Sequence, residues 1–370
     1  MKRLLVLNYE FPPLGGGAAN ATYYLLKEFA KDAGLQIDLV TSSVDTFRTE
    51  KFADNITIHY LDIGKNGNLH YQSNKDLLTY SYKAYRYAKK LIHEGAQYDV
   101  CHAFFGIPSG FVAMVLGVPY IVSLRGSDVP FYNARFKLLD TLVFKRLSKK
   151  IWRNARAVVA NSQSLKDLAQ QSAPEQDISV IYNGVDATYF APADTKHAQQ
   201  NLTLISTGRL IERKGYRYLI EALAGLENVH LTLVGDGNVR HELEQLAQDK
   251  KVAVTFRGKQ DKEQVRNLLQ QADLFVLPSL NEGMSNSVLE AMACGLPVIV
   301  TDTGGSGELV RNNNGIVVPK ADAEALRSAV ARFARERGTL IAMGQASRAR
   351  AIEMAWANMA QEYQTLYELA

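Results

Sequence analysis

Short, mostly apolar runs alternate with stretches of helical period along the whole chain, and this alternation constrains the fold more than any other feature. In the first half the runs fall at residues 3–7, 37–41, 56–61, 100–103, 120–124 and 157–161, with helical stretches that include 18–33 and 77–93. The second half repeats the scheme, with runs at 202–207, 230–234, 252–256, 274–278 and 297–301. Helical stretches there cover 215–224 and 240–250 and begin again near 262 and 287. Apolar runs separated by helices suit a parallel sheet covered on both faces. The expected fold is therefore α/β, with two doubly wound, Rossmann-like domains. A length of 370 residues fits two such domains. The polar stretch 191–200 reads as a linker, which sets the domains at 1–190 and 191–353. Open parallel sheets bind ligands beyond the carboxyl ends of their strands, so two domains facing across a cleft would offer both sets of strand ends to one ligand.

Composition narrows the class. With 47% hydrophobic and 22% charged residues, the chain is neither collagen-like, nor disordered, nor a coiled coil. No run approaches the roughly 20 apolar residues of a membrane helix. Met1-Lys2-Arg3 and the apolar residues after it begin like a signal peptide, but Asn8-Tyr9-Glu10 ends the run, so it reads as a buried first strand. Cys101 and Cys294 stand far apart, which excludes a disulfide scaffold or a Cys-based zinc site and fits a cytoplasmic setting.

Charge is uneven. Residues 1–185 hold 22 Lys and Arg against 16 Asp and Glu, and the remainder 20 against 22. The first half also carries 13 of the 18 tyrosines. Within 129–157 there are eight basic residues and one acid, Asp140. Phe131, Phe136, Leu138, Leu139, Leu142, Phe144, Leu147 and Trp152 are mixed among Arg135, Lys137, Lys145, Arg146, Lys149, Lys150, Arg153 and Arg156. Two readings stand: a peripheral helix lying on an anionic membrane face, or a helix packed on the sheet with solvated bases. Tyr80, Tyr82, Tyr85 and Tyr87 with Lys83, Arg86, Lys89 and Lys90 form a second basic and aromatic stretch of the same kind. No nucleic-acid-binding motif accompanies either, so no nucleic-acid partner is expected.

Three motifs carry chemistry. Gly208-Arg209-Leu210-Ile211-Glu212-Arg213-Lys214-Gly215 follows a strand and opens a helix. Two cations beside a helix N-terminus suit a diphosphate; the alternative is a basic surface loop. Glu282 and Glu290 stand eight apart, and Gly283-Met284-Ser285-Asn286-Ser287 supplies backbone N–H groups at a helix start. Ser285 and Ser287 are candidate N-caps. Apolar neighbours place Glu290 on a buried helix, where a carboxylate needs a partner. Gly15-Gly16-Gly17 after the first strand lets backbone approach a ligand closely, but matches neither the Walker A nor the dinucleotide pattern.

Together these residues resemble family 4 of the retaining glycosyltransferases, which have the GT-B fold. The resemblance rests on Gly208-Arg209-Leu210 with Lys214-Gly215, then Glu282 and Glu290-Ala-Met-Ala-Cys-Gly295, and extends nearly over the chain to Trp356. It implies that the second domain holds a nucleoside diphosphate sugar. Arg209 and Lys214 would neutralise the leaving diphosphate, Glu290 would bind ribose, and Glu282, with Gly283, Met284, Ser285 and Asn286, would reach the sugar. Arg257 and Gly258 would lie beside the base, and Gly208 in the donor loop. The resemblance further implies that the first domain binds the acceptor, a lipid-linked saccharide or a cell-surface glycan precursor. Gly15, Gly16 and Gly17 would then lie near the donor phosphate, and a C-terminal helix, 354–370, would cross back onto this domain.

His102 occupies a recurrent family position; it is either catalytic or a hydrogen-bonded core histidine. Arg125 stands where relatives often carry His, and a permanent cation cannot exchange a proton, so that role does not transfer. Asp128 is a candidate base or acceptor anchor. No Asp-x-Asp occurs in the chain. The expectation is a metal-independent transfer with no cofactor beyond the donor co-substrate. A nucleotide-sugar epimerase of the same fold and a non-catalytic nucleotide-sugar-binding protein are the alternatives.

Overall fold

The computed structural model describes residues 1–65, 69, 72–132, 140–193 and 201–369. Most of the expected linker, 194–200, lies outside the described residues, as do Arg135, Phe136, Lys137, Leu138 and Leu139. The chain divides into two compact units, one made of Met1–Asn183 with Trp356–Ala370 and the other of Gly184–Ala355.

The first unit is built on a sheet of β1 (Lys2–Leu7), β2 (Leu35–Ser43), β3 (Arg48–Ala53), β4 (Ile56–Asp62), β5 (Val100–Phe104), β6 (Tyr120–Leu124), β7 (Ala157–Ala160) and β8 (Ser179–Val180). The order among the described residues is β3-β4-β2-β1-β5-β6-β7-β8. All pairs are parallel except β3 with β4. The central strand β1 buries Leu4, Leu5 and Leu7 completely, as a two-faced parallel strand requires. Sequence periodicity misses β3, whose Arg-Thr-Glu-Lys-Phe-Ala is polar and half exposed because it pairs at a sheet edge. It also misses the two-residue β8.

Helix Asn74–His93 starts three residues before the apolar period does, because Ser73 caps it. The Ser73 hydroxyl accepts from the Asp76 amide at 3.1 Å, and the Asp76 carboxylate accepts from the Ser73 amide at 3.0 Å. In helix Lys145–Asn154, Ile151 and Trp152 are buried and Leu147 packs against the core, while Arg146, Lys150 and Arg153 are exposed. The described part of this basic stretch thus turns its apolar side to the sheet and its charge to solvent. No described helix is long and apolar enough to cross a membrane.

The second unit holds β9 (Leu202–Thr207), β10 (Val229–Val234), β11 (Val254–Phe256), β12 (Leu274–Leu277), β13 (Val298–Thr301) and β14 (Gly315–Val318). They form a parallel sheet in the order β11-β10-β9-β12-β13-β14. Its helices include Tyr216–Leu223, Arg240–Asp249, Lys262–Gln271, Asn286–Ala293, Ala323–Arg335 and Thr339–Glu353. The unit begins at Gly184, ahead of the polar stretch, because its two ends are tied together. The Val185 amide donates to the Met354 carbonyl at 2.9 Å, and Arg348 donates to the Phe190 carbonyl at 2.8 Å.

The final helix, Trp356–Leu369, belongs to the first unit, where it packs against helix Gly17–Phe29. Trp356 stacks on Tyr24 with ring centroids 5.0 Å apart, and Met359, Tyr363 and Tyr367 are buried. Trp356→Ala removes this stacked ring from a packed core, at a cost of about 3–5 kcal/mol. Denaturant unfolding should show the first transition shifted to lower denaturant, and an unchanged midpoint would contradict the packing.

Candidate active site

Loops at the carboxyl ends of β9, β12 and β13 bring one group of predicted residues together in the second unit. After β9 the Gly208 amide donates to the Val234 carbonyl, and the chain runs through a short turn, Glu212–Lys214, to Gly215. Gly215 has φ +66°, and a Cβ there would lie 2.1 Å from the Pro278 carbonyl oxygen. Only glycine permits this approach of the loop after β9 to the loop after β12. The approach places Lys214 against Glu282: the ammonium donates to Oε1, and the Ser279 hydroxyl donates to the same oxygen at 3.1 Å. The two side chains are 12% and 13% exposed, so solvent screens their attraction little.

The loop after β13 closes underneath. Thr301 Oγ1 donates to the Ser279 carbonyl. A Cβ on Gly304 would lie 1.9 Å from the Glu282 carbonyl oxygen, and the Gly305 amide donates to the Gly283 carbonyl at 3.1 Å. Ser279, Thr301 and Gly304 were not singled out by the motif reading; the Gly304-Gly305 pair just beyond a strand end was the available signal. Tyr216 is also new to the group. It is fully buried near Gly208, and burial pushes its phenol up.

Helix Asn286–Ala293 follows, with Met284 and Ser285 buried just before it. Ser285 stands at the N-cap position, but its hydroxyl meets that of Ser287 at 3.0 Å and caps no backbone amide. The Ser285 side chain therefore does not occupy the first N–H groups of this helix. One turn on, Glu290 is half buried, and its low-dielectric surroundings push its carboxyl up to about 7 against a weaker pull from the Lys262 charge. Arg209 and Arg257 are both exposed, and the Gly258 carbonyl accepts from the Gly235 amide at 2.8 Å.

In the first unit the predicted residues fall into two places. Gly15 has its amide on the Leu69 carbonyl at 2.9 Å, and Gly16 and Gly17 are exposed at the start of helix Gly17–Phe29. The Glu10 carboxylate lies over them and accepts from the Gly16 amide at 3.4 Å. The second place is buried. His102 is 0% exposed, with Nδ1 2.6 Å from the Tyr367 hydroxyl and Nε2 2.7 Å from the Ser123 hydroxyl. Burial, with the nearby Arg125 charge, holds its imidazole well below the usual range and therefore neutral. His102 is thus buried with both ring nitrogens hydrogen-bonded.

Arg125 donates to Asn183 Oδ1 at 2.9 Å and lies 4.6 Å from the Phe104 ring centroid. Asp128 accepts from the amides of Arg125 and Gly126, both at 2.9 Å, and of Gly106 at 2.7 Å. Burial raises its carboxyl, and these amides oppose the rise. Both oxygens are engaged, so Asp128 orders the loop that presents Arg125.

Comparison with known proteins accounts for both units. Residues 15–189 match the family described as glycosyltransferase family 4, and residues 190–350 match glycosyl transferases group 1. A lipopolysaccharide core biosynthesis glycosyltransferase of Rhizobium meliloti (strain 1021) is 34% identical over 247 residues, 60% of this chain and 70% of that protein. A putative teichuronic acid biosynthesis glycosyltransferase of Bacillus subtilis (strain 168) is 34% identical over 252 residues, which is 64% of this chain and 62% of that protein, less than two thirds of its length. Among solved structures, a sucrose-phosphate synthase from Thermosynechococcus elongatus superposes with a TM-score of 0.85 at 24% identity, covering 100% of this chain and 98% of that one. Anabaena HepE in complex with UDP and glucose superposes at 0.74 with 20% identity, covering 100% of both chains. The structural likenesses speak for the fold and the matches along the sequence for the family: the chain belongs to the family 4 glycosyltransferases, with the GT-B fold.

Proposed function

We propose that the protein moves a sugar from a nucleoside diphosphate sugar to a polysaccharide precursor, with retention of anomeric configuration and without a metal ion. The observation that carries this reading is the shielded Lys214–Glu282 pair at the strand ends, next to the start of helix Asn286–Ala293. A donor diphosphate would draw Lys214 away from Glu282, with Arg209 as the second cation. Charge grows on that diphosphate as the glycosidic bond breaks, and a fixed ammonium stabilises it most at that moment. Glu282, released from Lys214, would accept from a sugar hydroxyl beside the Gly283–Asn286 backbone, and Glu290 from the ribose hydroxyls. Arg257 and Gly258 would border the base.

Relatives and structural neighbours support the substrate classes. Curated relatives are named for teichuronic acid, lipopolysaccharide core and colanic acid biosynthesis, and Anabaena HepE was solved with UDP-glucose. In the first unit, Gly15, Gly16 and Gly17 would meet the donor phosphate, and Asp128 would hold the acceptor loop. His102 would act as a positioning residue, through Ser123 and Tyr367. A lipid-linked acceptor is the narrower form of the reading. Attachment to an anionic membrane face would then be by charge alone, through Arg146, Lys150, Arg153 and Arg156.

Lys214→Ala should lower turnover by about 100- to 1,000-fold, the loss typical of removing one fixed donor from a developing oxyanion. A variant with the unsubstituted rate would overturn the assignment, and in the same assay EDTA should leave the rate unchanged. The first product formed, examined by proton NMR, should keep the anomeric configuration of the donor; the opposite anomer would refute retention.

Glu290 provides a pH signature. Its folded value of about 7 exceeds the ordinary 4.5, so between these the folded chain keeps a proton that the unfolded chain releases. The group therefore stabilises the fold at low pH, and that contribution is lost as pH rises through this window. Hydroxyl groups donate best to the ionised carboxylate, so UDP binding should tighten as pH passes 7. Calorimetry from pH 6 to 8 should show this trend, and Glu290→Gln should flatten it; a parallel trend in the variant would remove Glu290 from the ribose site.

A further inference from the structure

We propose that an open groove on the first unit, beside helix Asn74–His93, binds an acidic saccharide. The groove is a shallow, solvent-open depression of about 600 Å³. It contains none of the residues assigned above to donor or acceptor. Three aromatic rings line it: Phe47, Tyr82 and Tyr87. Phe47 is 51% exposed and Tyr82 62%, an uncommon display for large rings that touch one groove.

Tyr87 is held from behind. Its hydroxyl lies 3.0 Å from Nδ1 of His59, whose Nε2 lies 3.0 Å from the Asp38 carboxylate; both of these residues are buried. The Phe47 ring meets Tyr87 with centroids 5.4 Å apart at 51°. This part of the surface is therefore ordered before any ligand arrives, which lowers the entropic cost of binding.

The polar lining is cationic. Lys83, Arg86 and Lys90 come from one face of the helix, at spacings of three and four residues, and Asp62 is the one acid among the described lining residues. Asp62 Oδ1 accepts from the Gly64 amide at 2.8 Å and keeps its negative charge, while Lys83 donates to the Asp62 backbone carbonyl, so three cations against one carboxylate leave the described lining positive. Arg86 donates to the Tyr82 hydroxyl at 3.3 Å, an uncharged partner. Lys90 pairs with Glu94 at 3.5 Å, but both ends are more than half exposed and the pair is weak. Aromatic rings in a net positive lining suit a ligand that offers C–H faces and carboxylates together, which is the chemistry of a uronic acid chain. A neutral glycan would leave the net positive charge of the lining without a role, and a simple anion would leave the rings without one. The inference rests on the family's work on sugars and is independent of the donor assignment.

The test uses the full chain and hexagalacturonic acid as the probe, with maltohexaose as the neutral control. Calorimetry should detect the acidic hexamer and not maltohexaose. Tyr82→Ala/Arg86→Ala should weaken the hexamer at least tenfold while UDP binding, read in parallel, stays unchanged. If that variant loses UDP binding or its fold, Phe47→Ala is read in its place, with the same tenfold weakening expected. No binding of the hexamer to the unsubstituted chain, equal affinity for maltohexaose, or unweakened binding in the variant would overturn the proposal. So would a variant that keeps the hexamer but loses binding to phosphatidylglycerol vesicles, which would assign the groove to a lipid surface.

Discussion

The first unit depends on a chain of buried hydrogen bonds between its sheet and the last helix. His102 on β5 and Ser123 on β6 reach Tyr367 and Tyr363, and Arg125 extends the chain at the end of β6. A buried polar group without a partner costs about 1–3 kcal/mol, so these residues fix the helix in one register on the sheet. Trp356 stacked on Tyr24 holds its other end. Arg125 is a fixed charge with its own partner, Asn183, and sits on a loop clamped by Asp128. That charge, added to burial, keeps His102 neutral, and a neutral imidazole can donate at one nitrogen and accept at the other.

The second unit solves a different problem, how to hold charge ready without wasting it. Three loops converge at the strand ends because glycine at 215 and at 304 lets backbones touch. Convergence puts an ammonium and a carboxylate together behind a partial screen from water. Such a pair is satisfied in the empty protein, so the site does not collapse around an isolated charge. Helix Asn286–Ala293 starts beside the pair, and a helix start favours negative charge.

Much of this was legible in the sequence. Apolar runs announced the buried strands, since a parallel strand covered on both faces must be apolar nearly throughout. The Gly208 to Gly215 and Glu282 to Gly295 motifs named residues that prove to be neighbours. What stayed hidden depends on tertiary partners. Polar β3 exists because β4 offers it an edge, and Ser279 matters only because Glu282 folds back on it. The place of His102 was undetermined because its two partners lie 21 and 265 residues away. The first-unit tyrosines looked alike in sequence, yet Tyr80 is fully buried and Tyr82 is largely exposed, a difference set by which side of one helix each occupies.

Residues 184–355 interrupt the first unit, and this has a consequence for synthesis. The chain leaves the ribosome in order, so most of the second unit can begin to fold before residues 356–369 have emerged, and the tie between Val185 and Met354 forms as they follow. Until then the first unit lacks Trp356, Tyr363 and Tyr367, and leaves Tyr24, Phe29 and His102 without their natural cover. The unit made first is thus finished last. During that interval its bare aromatic surface is where a chaperone would be needed, and a ribosome stalled anywhere in the second unit would leave the first one incomplete.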